Sequence, residues 1–278
     1  MSDVVGFIGL GQLGLPMATN LRDTGYSLLV YNRTASKADS LVARGARLAT
    51  RPVDAVTTGG IVATIVWDDA ALESVVMSDG FLEQLGPGGI HLSMSTVSPE
   101  TSKKLAAMHA RHGSAYVEAP IFGRPEAAVA HKLWIPFAGP RIAKERVRPL
   151  LTAMGGQGIF DFGEEVGAAN IVKLAGNFLI VSAAHSLREA LSMAERNGVD
   201  PTAVVDMLTQ TLFPAPIYQS YGKMIAEKTA PFSQSAIPLK DVGLFKTAAQ
   251  QVDSPTPISR HLHDLLRSDE GGVAPVSR

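Results

Sequence analysis

The sequence predicts an α/β fold: a doubly wound parallel sheet in the N-terminal part, then an all-α C-terminal domain, the two joined by a long interdomain helix. Three observations carry this expectation. From Val4 to about Gly158, short β-branched runs alternate with amphipathic segments, as parallel βαβ units require. From Val166 to Asn197 the chain has no proline and is apolar over most of a helix circumference. From there to about Leu266, helical segments follow one another through proline-containing connections, without strand alternation.

The strand candidates, in order, are VVGFIG from Val4, SLLVYNR from Ser27, IVATIV from Ile61, IHLSMS from Ile90 and SAYVEAP from Ser114, followed by KLWIPFAG from Lys132. Each is nearly continuous in apolar residues, the pattern of strands covered on both faces. Leu15 to Asp23 and Pro99 to His112 read as crossover helices. Ser98, ahead of Pro99 and Glu100, is a natural N-cap, since proline suits the first helical turn. At about 1.5 Å per residue the 166–197 helix would be roughly 45 Å long, and so apolar a helix calls for burial by its neighbours. Gly198-Val199-Asp200-Pro201 ends it. The domain boundary falls near residues 160–166, giving domains 1–163 and 164–278, and the stretch from Ser268 reads as a frayed tail.

Composition narrows the class. Over 278 residues, 46% hydrophobic and 18% charged residues describe a soluble globular protein. With a net charge of -1, nothing suggests nucleic acid or an anionic membrane as a partner. The absence of cysteine excludes disulfide and thiolate chemistry and fits a cytoplasmic protein. No basic region precedes the first apolar run, so no signal peptide is expected. The longest charge-free apolar stretch, Leu174 to Leu187, is broken by Asn177 and His185 and is too short to span a bilayer.

Gly9-Leu10-Gly11-Gln12-Leu13-Gly14 follows the first strand and opens the first helix. This is the spacing of a Rossmann-type dinucleotide turn. Gly9 permits the tight turn, Gly11 lets the backbone approach a pyrophosphate, and Gly14 allows close helix–strand packing. A carboxylate about 20 residues further on would bind the ribose hydroxyls of NAD. Here the second strand ends in Asn32-Arg33-Thr34, with Lys37 one turn on. Nothing in that set repels a 2′-phosphate, and Arg33, Thr34 and Lys37 can donate to one, so NADP is the expected cofactor. The plainer reading makes Arg33 and Lys37 solvated surface charges. Two further loops leave the carboxyl ends of strands, where ligands bind in such sheets. One contains Val66 and Trp67, the latter either a cofactor neighbour or a core aromatic. The other contains Ser95 and Thr96, left to face the cleft once Ser98 caps its helix.

On the long helix, Asn170, Lys173 and Asn177 are spaced i, i+3 and i+7 and share one face. A lysine buried there could give a proton to a carbonyl oxygen and take it back in reverse; the alternative is a lysine that snorkels to the surface. His185 and Glu189, at i and i+4, lack a third ligand for a metal and read as an internal pair, so no metal is expected. Phe213 to Tyr218 and Met224 read as domain core rather than cleft wall.

Taken together these motifs resemble the β-hydroxyacid dehydrogenases, relatives of 6-phosphogluconate dehydrogenase that include 3-hydroxyisobutyrate dehydrogenases and glyoxylate/succinic semialdehyde reductases. Gly6 to Met17 is similar to the family's opening fingerprint, Ser95 to Pro99 to its substrate loop, Glu118-Ala-Pro-Ile-Phe-Gly123 to its Asp-Ala-Pro-Val-Ser-Gly-Gly segment, Gly167 to Asn177 to its catalytic helix and Lys240-Asp241 to its late Lys-Asp motif. The resemblance implies Lys173 as general acid and base, Asn177 beside the substrate, and Thr96 near the nicotinamide; Asn170, on the same helix face as Lys173, is a further substrate-binding candidate. It also implies Lys240 over the cofactor, Asp241 orienting that loop, and a homodimer or homotetramer built through the all-α domains. Two departures stand out. Where the family's Ser-Gly-Gly receives a substrate carboxylate, this chain has Phe122-Gly123-Arg124, so either Arg124 supplies another carboxylate clamp or the substrate is less polar; Arg124 as a solvated loop charge is the plain alternative. The segment after Arg267 also lacks the family's usual ending.

The function expected is NADP(H)-dependent interconversion of a small aldehyde or keto acid and its hydroxy acid. An imine reductase of the related group is the near alternative, which Lys173 disfavours and Phe122 keeps open. A catalytically idle nucleotide-binding protein serving regulation is the distant one.

Overall fold

In the computed structural model, residues 4–229 and 236–270 are described. The chain divides into two compact units, Met1–Lys173 and Leu174–Arg278.

The first unit is built on a six-stranded parallel sheet in the order β3-β2-β1-β4-β5-β6. Its strands are β1 (Val4–Ile8), β2 (Ser27–Tyr31), β3 (Arg47–Leu48), β4 (Ile61–Thr64), β5 (Ile90–Ser93) and β6 (Ala115–Glu118). The order reverses between β1 and β4, paired in parallel from Val5↔Ile61 to Ile8↔Thr64, and in open α/β sheets the carboxyl edge at such a switch point is where ligands bind. The crossovers carry α1 (Gly14–Asp23), α2 (Asp39–Val42), α3 (Asp69–Val76), α4 (Phe81–Leu85) and α5 (Pro99–Arg111).

Strand alternation divides the apolar residues between two cores, one on each face. Phe7, Val30, Ala63, Leu92 and Val117 pack with Met17 and Leu21 of α1. Ile8, Val62 and Tyr116 pack with Leu72, Phe81 and Leu105 on the opposite face. Continuous apolar strands between two helical layers are what parallel connections produce.

Two elements differ from the sequence reading. Lys132 to Gly139 does form a strand, β7 (Leu133–Phe137), but outside the main sheet. It pairs in parallel with β8 (Gly156–Asp161), with α6 (Pro125–Val129) ahead of it and α7 (Arg141–Ala153) between the two. The sheet's sixth member is instead β3, two exposed residues with too little apolar pattern to signal a strand.

A polar chain crosses the second core. Leu105 O can only accept, so His109 Nδ1, at 2.8 Å, carries a proton. His109 Nε2 then accepts from His91 Nδ1 at 3.1 Å, and His91 Nε2 accepts from the Thr64 hydroxyl at 2.9 Å. Both imidazoles are neutral, and burial pushes them down, His109 to about 4 and His91 well below the usual range.

The second unit is helical. α8 (Ala168–Arg196) begins in the first unit and continues into the second, where α9 (Pro201–Gln210), α10 (Pro216–Ala226), α11 (Ala236–Gln250) and α12 (Pro257–Glu270) follow. Its 29 residues agree with the helix read from sequence. Leu187 and Leu191 pack on Val205, with Tyr218 and Ile225 alongside, so Tyr218 belongs to the core of this unit. Val242, Leu262 and Leu266 form a second cluster, beside which Phe178 stacks on Phe245 at 4.4 Å between centroids. Complete burial of α8 is not met within one chain, because Leu179 and Met193 remain exposed. No described helix is long and apolar enough to cross a membrane, and the described residues hold no cluster of three or more metal-ligating side chains. The tail from Gly271 lies outside the described residues.

Candidate active site

The glycine turn joins β1 to α1 at the switch point. Gly9 has φ +101°, and a Cβ there would lie 2.1 Å from Ile65 O; one at Gly14 would lie 2.0 Å from Gly9 O. Only glycine fits either place. Gly11 has open space around it, and Gly11 and Gln12 are exposed while Leu10 is buried and Leu13 half-buried. No side chain caps the start of α1 and no acidic residue lies in its first turn. Its N–H groups and positive dipole end therefore fit a pyrophosphate.

Asn32 is more tightly used than its sequence position suggests. Its Oδ1 accepts from Leu10 N at 2.9 Å and its Nδ2 donates to Thr34 O at 2.8 Å, so it splints the glycine turn to the loop after β2. Arg33, Thr34 and Lys37 are exposed beyond it, and neither cation has an ion-pair partner among the described residues. The set fits an anionic group on the ribose. Trp67 is 51% exposed, which removes its reading as a core aromatic.

The loop after β5 corrects one expectation. Ser95 does not face a cleft. It is buried, and its Oγ accepts from Val66 N at 2.8 Å, tying the β4 and β5 loops together. Ser98 caps α5 by accepting from Thr101 N at 3.1 Å, while its own N–H and hydroxyl donate to Asp69 of α3. Thr96, between them, is half-buried.

The start of α8 is held by a residue that the sequence reading quoted without a role. Glu118, wholly buried at the end of β6, accepts at Oε1 from Gly167 N and Ala169 N, both at 2.8 Å. Its Oε2 accepts from Asn170 Nδ2 at 2.8 Å. A carboxylate opposite the positive end of a helix is well placed electrostatically and satisfies N–H groups the helix cannot. The available signal was a helix start without an acidic first turn and an acidic residue closing a buried strand.

Asn170 is likewise corrected. It is fully buried, and its amide is spent on Glu118, on Ser102 Oγ at 3.1 Å and on Val97 N at 3.2 Å. It fastens the β5 loop to α8 and has no exposed atom to offer a substrate.

Lys173 follows on the same helix and is 8% exposed, so it does not snorkel. Its Nζ lies 4.2 Å from the centroid of the Phe122 ring. Gly123 and Arg124, next to Phe122, are exposed. Asn177, one turn beyond Lys173, belongs to the second unit, where its Nδ2 donates to Asp241. Asp241 is buried on α11 rather than on a loop, and its other oxygen is 3.0 Å from Lys240 Nζ. One carboxylate thus orients both Asn177 and Lys240.

Comparison with known proteins agrees with this architecture. Residues 4–166 match the NAD binding domain of 6-phosphogluconate dehydrogenase, and residues 167–273 match the NAD-binding region of NADP-dependent 3-hydroxyisobutyrate dehydrogenase. An NAD-dependent L-serine dehydrogenase of Pseudomonas aeruginosa is 31% identical over 95% of this chain and 91% of its own. The chain belongs to the β-hydroxyacid dehydrogenase family. As a β-hydroxyacid dehydrogenase family member it is an oxidoreductase with an NAD(P)-binding domain. An uncharacterized oxidoreductase of Bacillus subtilis, YfjR, is 42% identical over 92% of this chain and 90% of its own. Among solved structures, a Mycobacterium tuberculosis 3-hydroxyisobutyrate dehydrogenase with L-serine shares the fold at TM-score 0.83 and 23% identity, covering 96% of this chain and 94% of that one. A reductive aminase of Aspergillus terreus in complex with NADPH, cyclohexanone and allyl amine shares it at 0.66 and 22%, covering 96% and 93%.

Proposed function

We propose that this β-hydroxyacid dehydrogenase family member uses NADP(H) to interconvert a small aldehyde or keto acid and its hydroxy counterpart, with Lys173 as general acid and base. The observation that carries the reading is a buried lysine on a helix pinned by Glu118 to the end of β6, in the unit that holds the glycine turn. Bound nicotinamide supplies or accepts the hydride. Lys173 Nζ donates a proton to the carbonyl oxygen as negative charge develops there, and withdraws it in the reverse reaction. The same reading assigns Thr96 to the nicotinamide, Asn177 to the substrate oxygen, and Lys240, with Asp241 beside it, to the cofactor. Arg124 is the exposed cation nearest in sequence to a substrate carboxylate's place, and Gly123 leaves backbone accessible beside it.

NADP over NAD is supported by the missing carboxylate at position 32 and the exposed Arg33, Thr34 and Lys37. The cysteine-free composition fits a cytoplasmic location, and exposed Leu179 and Met193 on α8 fit a homodimer or homotetramer, which sedimentation would count.

Following NADPH absorbance with glyoxylate and succinic semialdehyde, and NADP+ reduction with 3-hydroxyisobutyrate, tests the reading. Turnover of at least one, with NADPH preferred over NADH, is the expected result; no turnover with any of them contradicts it. The apolar Phe122 favours a second reading, reduction of an imine, and turnover of a cyclic imine in place of every carbonyl would select it. An idle nucleotide-binding role would leave a buried lysine without a use.

A further inference from the structure

Phe122 is fixed from both sides. Its N–H donates to Trp134 O at 2.8 Å and its carbonyl accepts from Trp134 N at 3.0 Å, an antiparallel bridge that holds the backbone outside any regular strand. Gly123 follows at φ +147°, where a Cβ would press to 2.5 Å from Leu133 Cδ2. The helix that carries the lysine is held as well, because Glu118, four residues before Phe122, clamps the first turn of α8. One short segment therefore sets the helix start with a carboxylate and meets Lys173 with a ring, 4.2 Å from Nζ to centroid. The geometry is that of a cation over an aromatic face.

Resting on the functional reading above, and narrowing its substrate from keto acids to aldehydes, we infer that Phe122 determines specificity and positions the proton donor: its face favours the charged Lys173 ammonium, and its apolar surface suits a carbonyl compound with an alkyl or aryl group, not a carboxylate, beside the carbonyl. Burial and the positive end of α8 both disfavour an ammonium at position 173. The ring quadrupole offsets these effects without adding a hydrogen-bonding group that a carboxylate could use. In the reductive direction the hydride adds to the carbonyl carbon, the C–O π pair takes the proton from Nζ, and the resulting neutral amine regains a proton from solvent. A substrate carboxylate packed on the ring would lose hydration with no donor to replace it.

The test separates ring from wall. In full-length protein labelled with 13C at lysine Cε, the Lys173 resonance is assigned by its loss in Lys173→Arg and titrated in wild type and Phe122→Leu, which keeps apolar volume and removes the π face. The titration midpoint should fall by about one unit, a tenfold change in the deprotonation constant; an unchanged midpoint overturns the ammonium role. In Phe122→Ser, the kcat/KM ratio of phenylacetaldehyde to glyoxylate should fall at least about tenfold, the scale of a pocket changing from apolar to polar, and an unchanged ratio overturns the specificity role. Should Phe122→Ser fail to fold, a wild-type ratio below one overturns it equally. If no carbonyl is turned over at all, the functional reading fails, while the titration still decides the contact between Phe122 and Lys173.

Discussion

The two ends of the sheet's carboxyl edge are built on opposite plans. At the β1–β2 end, the proposed cofactor site is mostly backbone: a glycine turn, an uncapped helix start, and exposed Arg33, Thr34 and Lys37 around one amide splint, Asn32. At the β5–β6 end, Ser95, Glu118, Asn170 and Lys173 are buried and joined by side-chain hydrogen bonds or packed on an aromatic ring. Under the proposed function the difference follows from the tasks. A pyrophosphate is recognised by N–H groups and charge, which an open turn supplies in water. A proton donor must be held within a few tenths of an ångström, and that precision comes from a buried network of hydrogen bonds and packing.

Substitutions should therefore act differently at the two ends. At the buried end, Glu118→Ala strips partners from Gly167 N, Ala169 N and Asn170, and should lower unfolding free energy by about 3 kcal/mol or more. Urea unfolding measures this; a loss below about 1 kcal/mol would place the network outside the fold's stability.

The next effect concerns the buried imidazoles below this end. Because His91 and His109 stay neutral in the folded state while the unfolded chain binds protons below about pH 6.5, their contribution is complete above that pH and declines as pH falls towards 4. From His109 alone, stability should drop by about 2 kcal/mol between pH 7 and pH 5. His109→Gln should flatten that slope, whereas an unchanged slope would mean that His109 titrates normally.

At the open end, effects should fall on binding and leave stability alone. Asn32→Asp with Arg33→Leu should shift the NADPH/NADH ratio of kcat/KM by at least about tenfold, the worth of one charge-assisted contact. A constant ratio would sink the 2′-phosphate reading. Smallest of all, Ser95→Ala removes one hydrogen bond to Val66 N and should cost about 1 kcal/mol in unfolding free energy. A loss as large as that of Glu118→Ala would erase the distinction between a loop tie and a helix clamp.

The same contrast explains what could be read without coordinates. The glycine turn was legible because close approach and φ +101° leave only one residue type, so chemistry is written as spacing. α8 was legible to within two residues at its start because periodicity accumulates over its length. β7 was found but misplaced, since apolar pattern identifies a strand and not its partner; β8, with two glycines in GQGIFD, lacks the pattern altogether. Ser95 and Asn170 were misread because their partners stand 29 and 73 residues away, at Val66 and Val97. A buried polar residue looks the same in sequence as a catalytic one until its hydrogen bonds are counted.

The central claim is that the buried end carries the proton and the open end only the cofactor. Lys173→Met, close in length and uncharged, tests it most directly through kcat for NADPH-dependent carbonyl reduction, with NADPH binding followed by fluorescence. The expected result is a fall in kcat of about a thousandfold, within the usual reach of a general acid, with NADPH affinity within a few-fold of wild type. A kcat within a few-fold of wild type would contradict the claim.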